Sequence, residues 1–303
     1  MIDLSAKIAR VYAGMVTRQP KKAEIDLPSV RSEMNIPYLE DRCKGHFLDI
    51  FWSKEADRPM PVFVVFNGGA FFRGNRSSSE NLCMALAQRG FAVVNADIRD
   101  ISGEAGVEDD LEDAVSILNW INFNRGRYGL DIGRCYVIGI SYGALMAMWF
   151  ALICNSDRIN RAMGAESPWA PVKGIGLLSG MTDIHRNAAR MVIIRESVEE
   201  IGRKNRELAE SLALDTNHEL RTLPRVYQVS SESDRSLPDT EKLNELLDVN
   251  RVGNEAMIFG RKDGFARGFV ARDPFMPGST RAVSAMIRYL TLSASSDGRG
   301  NFS

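Results

Sequence analysis

An α/β fold built on a mostly parallel central sheet, with helices on both faces, is predicted by two observations. Short β-rich runs alternate with helical ones from residue 46 to residue 292. The strongest of these runs, 61–66 and 91–96, are continuously apolar rather than alternating, as expected for strands covered on both faces. Strands that alternate with helices assemble into parallel sheets through crossover connections.

The elements follow in order. Residues 1–45 open with helical spacing at Ile8, Val11, Tyr12 and Met15 and continue through a Pro-containing stretch, which reads as an N-terminal arm or lid outside the core. The first strand is expected at 46–52 and the second at 61–66, stopping at Asn67-Gly68-Gly69. A helix over 78–89, a strand over 91–96 and an acid-led helix over 107–123 come next, then a strand over 135–139 and an apolar helix over 142–154. Beyond the strand at 175–178, the stretch from 184 to 222 is too long for a simple crossover and carries charged helical sequence, so it is expected to form a small helical cap. Strands at 225–229 and 256–259, helices at 238–248 and 280–292, and a disordered tail over 295–303 complete a single domain spanning 46–294.

Composition narrows the partners. The 303 residues carry 38 Lys and Arg against 39 Asp and Glu, a net charge of -1, with no block of like charges. Nucleic acid and polybasic membrane contact are therefore not expected, and a small-molecule substrate or ligand is. The longest apolar run, 144–154, is too short to cross a bilayer. Four scattered cysteines without a CxxC pair, and no basic-then-apolar leader, point to a reduced, cytoplasmic protein. No His/Cys/carboxylate cluster has ligand spacing and no nucleotide fingerprint follows a strand, so neither metal nor cofactor is expected.

Gly139-Ile140-Ser141-Tyr142-Gly143 lies where a buried strand meets an apolar helix. In that context GxSxG forms a nucleophile elbow, a turn too tight for flanking side chains. Asn67-Gly68-Gly69-Ala70-Phe71 follows the second strand and suits an oxyanion hole, with Gly68 and Gly69 supplying backbone N–H groups and the N–H of Tyr142 supplying another. Beside this loop, Phe71 and Phe72 are candidates for the core or the pocket wall and Arg73 for a substrate carboxylate. His185, at the entrance to the cap, is a candidate substrate contact and, of the three histidines, the one placed to substitute as a base.

This combination resembles the α/β-hydrolase superfamily, in particular the hormone-sensitive-lipase and arylformamidase-like carboxylesterases. Asn67-Gly68-Gly69-Ala70 matches their HGGG-type loop, Asp97-Ile98-Arg99 their Asp-x-Arg strand end, Asp113-Ala114 and Trp120 their Asp-Ala…Trp helix, and Ser141 their elbow. The resemblance implies an α/β-hydrolase fold, Ser141 as nucleophile and Asp234, after the strand that follows the cap, as the acid, with Glu232 a weaker competitor. Homodimers occur among such proteins, but residues 280–292 do not force one.

The resemblance also implies a His base in a Gly-x-x-His-Gly-Phe segment after the last strand. The chain reads Gly260-Arg261-Lys262-Asp263-Gly264-Phe265, which puts Asp263 in the base position. A carboxylate near its ordinary pKa is a far weaker base than imidazole. Asp263 and Asp234 are expected to lie close together, so that their like charges raise one pKa and the two titrate as a pair. His46 and His218 fall at structural or solvated positions.

Four readings follow. One is a carboxylesterase-like hydrolase of small acyl esters or amides with an atypical Ser141-Asp234-Asp263 site. A second is a non-hydrolytic lyase, cyclase or isomerase using the carboxylate pair, and a third is a catalytically dead ligand-binding protein. The fourth is a normal esterase inactivated by an introduced Asp263.

Overall fold

The computed structural model describes residues 27–41, 43, 45–68, 76–99, 107–163, 170–183, 186, 199, 203, 206, 210, 213–214 and 217–292. Its strands are β1 (Val30–Pro37), β2 (Phe47–Ser53), β3 (Met60–Phe66), β4 (Ala92–Ala96), β5 (Leu130–Ile140), β6 (Val172–Leu178), β7 (Arg225–Ser231) and β8 (Asn254–Phe259). They form one sheet in the order β1-β2-β4-β3-β5-β6-β7-β8. The β1–β2 and β2–β4 pairs are antiparallel and all later pairs are parallel.

Side-chain alternation along the central strands builds two cores. Val62, Val64 and Phe66 face one way, joining Val94, Val137 and Ile175 beneath helices α2 (Val107–Tyr128) and α3 (Gly143–Asn155). Phe63 and Val65 face the other way, joining Val93, Ile138 and Val229 beneath α1 (Glu80–Ala87) and α7 (Pro277–Thr291). Helices therefore cover both faces, which is why these strands carry no polar face. Helix α3 is buried from Gly143 to Ile153, and each large side chain fully buried there, such as Trp149 or Phe150, contributes about 1.5–3 kcal/mol. Helices α4 (Asp157–Ala162), α5 (Leu237–Val249) and α6 (Phe269–Arg272) are also described.

The sheet begins earlier in the chain than expected. Residues 30–37, expected in the arm, form edge strand β1, paired with β2 from Val30↔Ser53 to Pro37↔Phe47. The sequence hides it because none of its residues is buried, so the apolar signal of an interior strand is missing. Residues 1–26, the tail and most of the expected cap lie outside the described residues. The end of that stretch, His218–Thr222, is a 3-10 turn with Leu220 in the core, and Thr222 O accepts Asn155 Nδ2 at 3.3 Å. Among the described residues no helix is long and apolar enough to cross a membrane, and no group of three His, Cys, Asp or Glu could hold a metal ion. The four cysteines are free, and burial pushes the Cys135 thiol up to about 12, well away from thiolate chemistry.

Candidate active site

The carboxyl ends of β3, β5, β6 and β7 converge, and the crevice beyond strand ends of this kind is where open α/β sheets place ligands. Ser141 stands at the end of β5 with φ 56°, in the left-handed region that non-glycine residues rarely adopt. Three backbone bonds hold it there. Ser141 N donates to Leu178 O at 3.0 Å, Met181 N donates to Ser141 O at 2.8 Å and Ala144 N donates to Ser141 O at 3.1 Å. The flanking glycines are required by close approach. A Cβ on Gly143 would strike the Phe66 carbonyl oxygen, and one on Gly139 would strike the Gly143 carbonyl oxygen.

Gly68 brings the loop after β3 against the serine: a Cβ there would lie 2.6 Å from Ser141 Cβ and 2.7 Å from Ile140 O. Asn67 fixes that approach from beneath, its Nδ2 donating to Asn95 Oδ1 at 2.7 Å, while Asn95 Nδ2 donates to Arg76 O at 3.0 Å. Gly69, Phe71, Phe72, Arg73 and His185 lie outside the described residues.

Tyr142 begins the first turn of α3 and sends its side chain inward, where its hydroxyl donates to Asp110 Oδ2 at 3.0 Å. Burial holds the Asp110 carboxyl well above the ordinary carboxylate range, and burial together with Asp110 raises the Tyr142 phenol likewise. The backbone of Tyr142 is thus anchored from the protein interior rather than from the pocket.

Asp234 is buried in the turn after β7. Its Oδ1 accepts Ser236 N and Ser236 Oγ, both at 2.8 Å, and its Oδ2 is buried without a hydrogen-bond partner among the described residues. The group that reaches between this acid and the serine is neither histidine nor Asp263. Arg267 Nη2 donates to Ser141 Oγ at 2.6 Å, and Arg267 Nε stands 4.0 Å from Asp234 Oδ1.

Asp263 is a correction. It is exposed, ends a three-residue 3-10 turn (Arg261–Asp263), and its Oδ2 accepts the Gly260 N–H at 2.9 Å. A short carboxylate at this place in a turn satisfies its own backbone, and the structure pairs it with neither Ser141 nor Asp234. Glu232 is similarly engaged, accepting Arg261 N at 2.8 Å.

The sequence reading missed Arg267, although a signal was present. Two Gly-Phe pairs stand four residues apart, Gly264-Phe265 after Asp263 and Gly268-Phe269 after Arg267. Their rings stack at 4.4 Å and 8°, so both pairs suit the same packing, and only the second brings its preceding residue to the serine. Around it, Gly268 N donates to Ser179 Oγ and Ser231 Oγ donates to Phe265 O, both at 2.8 Å.

The remaining polar candidates are structural. His46 is buried, with Nδ1 2.6 Å from Asp41 Oδ2 and Nε2 3.0 Å from Asp113 Oδ1. His218 is exposed. Asp97 pairs with Arg76, and Asp183 accepts Lys242 Nζ at 2.8 Å.

With this geometry in view, the comparisons with known proteins separate family from mechanism. The BD-FAE family profile matches residues 48–229. The chain belongs to the BD-FAE family. It is also similar, at 30% identity over 255 residues, to the probable isoprenylcysteine alpha-carbonyl methylesterase ICME of Oryza sativa subsp. japonica, across 79% of this chain and 59% of that protein. It spans between 50% and 59% of the length of the first three curated relatives it matches. Among solved structures, esterase B from Lactobacillus rhamnosus superposes with a TM-score of 0.83 at 16% identity, covering 95% of this chain and 94% of that one. A hyperthermophilic esterase from the archaeon Pyrobaculum calidifontis superposes with a TM-score of 0.63 at 21% identity, covering 95% and 91%. The fold is that of the α/β-hydrolases. The BD-FAE match includes Gly68 and Ser141 and stops before Asp234 and Arg267.

Proposed function

We propose that this BD-FAE family member is a carboxylesterase-type hydrolase of small acyl esters or amides whose turnover is limited by the loss of its base. In this reading Ser141 Oγ meets the acyl carbon. Backbone N–H groups of the Gly68-Gly69 loop and of Tyr142 receive the developing oxyanion. Asp234 keeps the place of the acid, and Phe71, Phe72, Arg73 and His185 contribute to the pocket.

The observation that carries the reading is the 2.6 Å hydrogen bond from Arg267 Nη2 to Ser141 Oγ. A guanidinium offers donors only and stays protonated. It stabilises negative charge on the serine oxygen or on an intermediate, but it cannot take the hydroxyl proton, which must pass to water. General-base assistance contributes roughly 10²–10⁴ in rate, and that factor is what the arginine forfeits. The non-hydrolytic reading that relied on an Asp234–Asp263 pair has no support in the geometry. A ligand-binding role is favoured by the same arginine contact. The free thiols suit a cytoplasmic setting.

The test is p-nitrophenyl butyrate turnover by the parent protein, Ser141→Ala, Arg267→His and Asp263→His. Arg267→His is expected to raise kcat/KM by about 10²–10⁴ over a slow, Ser141-dependent parent, with Asp263→His at parental rate. The reading fails if Arg267→His gains nothing, or if Asp263→His is the variant that gains.

A further inference from the structure

We infer that the preferred ligand of the Ser141–Arg267 pocket is a carboxylate anion, the free monocarboxylic acid rather than its ester or amide. The inference deepens the proposed function and rests on the same placement of Arg267.

It follows from a count of donors and acceptors. Ser141 Oγ accepts from Arg267, and its own proton faces Met181 Sδ at 3.7 Å, a thioether and so a weak acceptor. The Arg267 contacts recorded among the described residues use Nη2 and Nε, and the side chain is 33% exposed, which leaves Nη1 as a further donor for a ligand. The acceptor that a neutral imidazole would place beside the serine is missing. The carboxylate of Asp234 offers no substitute at the serine, because its side chain is fully buried, its Oδ1 is taken by Ser236 and its Oδ2, though unpartnered among the described residues, makes no hydrogen bond to Ser141. The reacting end of the pocket therefore presents an arginine and a hydroxyl, both ready to donate.

A neutral ester meets those donors with one good acceptor oxygen. A carboxylate meets them with two oxygens and the complementary charge, and arginine–carboxylate contacts are among the stronger hydrogen bonds proteins make. Net charge works in the same direction. A site with an ionised aspartate and a neutral imidazole carries one negative charge, whereas Asp234 with Arg267 sums to zero. An incoming anion is thus spared the repulsion that a conventional triad would exert. Arg272, whose Nη2 donates to Arg267 O at 2.6 Å, adds a second cation nearby.

The experiment is calorimetric titration of the intact protein with acetate, butyrate and hexanoate, and with butyramide and methyl butyrate as neutral counterparts. At least one carboxylate is expected to bind about 10-fold or more tightly than its neutral counterparts, and Arg267→Gln is expected to weaken it by about 10–100-fold. Should Arg267→Gln fail to fold, Arg267→Lys, which keeps the charge and loses the fork, is expected to weaken binding by about 3-fold or more. Equal affinity for butyrate and butyramide, or carboxylate affinity unchanged in the folded variant, overturns the inference. Esterase assays on the same preparations keep the two claims apart. A gain of turnover in Arg267→His without carboxylate binding by the parent overturns only this inference, whereas a parent as active as Arg267→His overturns the reading beneath it.

Discussion

The two sides of the site are built differently. On the nucleophile side, Ser141 is locked by backbone bonds from β6 and α3, and Gly68, Gly139 and Gly143 leave no room for a Cβ. On the base side, Arg267 sits between two short helical elements, held by single bonds from Gly268 N to Ser179 Oγ and from Arg272 Nη2 to its carbonyl. The first side is dictated by sterics and retains the esterase pattern. The second is a side chain on a partly exposed segment, where a substitution is expected to change the chemistry of the proposed site at little cost to the fold. The family match covers the first side and stops before the second.

The sharpest way to test this division is to rebuild the base and then remove its orienting acid. In an Arg267→His background, Asp234→Asn is expected to cost about 10³–10⁴ in kcat, because the imidazole would lose its tautomer partner. A loss under 10-fold would mean that Asp234 does not serve the rebuilt base. Next in size, Gly143→Ala is expected to destabilise the protein by more than about 3 kcal/mol in urea unfolding, while Arg267→Ala changes stability by less than about 1 kcal/mol. Comparable costs for the two would erase the distinction.

A pH experiment probes the anchor behind Tyr142. Asp110 holds its proton in the folded protein above the ordinary carboxylate pKa of 3.8 because it is buried. Its contribution to stability is therefore fullest below that value and is lost as pH rises through the folded pKa. Asp110→Asn cannot titrate and still accepts the tyrosine hydroxyl. Its melting temperature relative to the parent is expected to climb as pH rises above the ordinary carboxylate value, and a flat difference would show that folding does not raise the Asp110 pKa. Smallest of all, Asp263→Ala is expected to cost less than about 1 kcal/mol, the worth of a single exposed hydrogen bond, and to leave carboxylate binding and ester turnover unchanged.

The interior of the fold was legible because burial on two faces writes itself into sequence. Residues 61–66 and 91–96 read as strands, and the structure places β3 and β4 there. Strand β1 was not legible: Val30–Pro37 is an exposed edge whose partner, β2, begins ten residues later. The elbow could be read from its glycines, since steric exclusion leaves no other residue at those places. The base side could not be read by spacing. Gly264-Phe265 and Gly268-Phe269 satisfy the same local pattern, and only the long-range contact from Arg267 to Ser141 tells them apart. The place of Asp234 in the turn after β7 followed from the buried strand before it, its role as the acid came only from the family resemblance, and its bonds to Ser236 were not legible.

The bonds at Ser141 also set how the pocket opens. The amides of Ser141 and Met181 are tied into the junction of β5, β6 and α3, so their hydrogen exchange should require the most extensive unfolding of the molecule. The Gly268 amide, bonded to one serine hydroxyl on a partly exposed segment, should exchange through small local openings. A guanidinium carried on the more readily exchanging segment would then lose its contact to the serine before the serine itself is released, and the sheet would stay closed throughout.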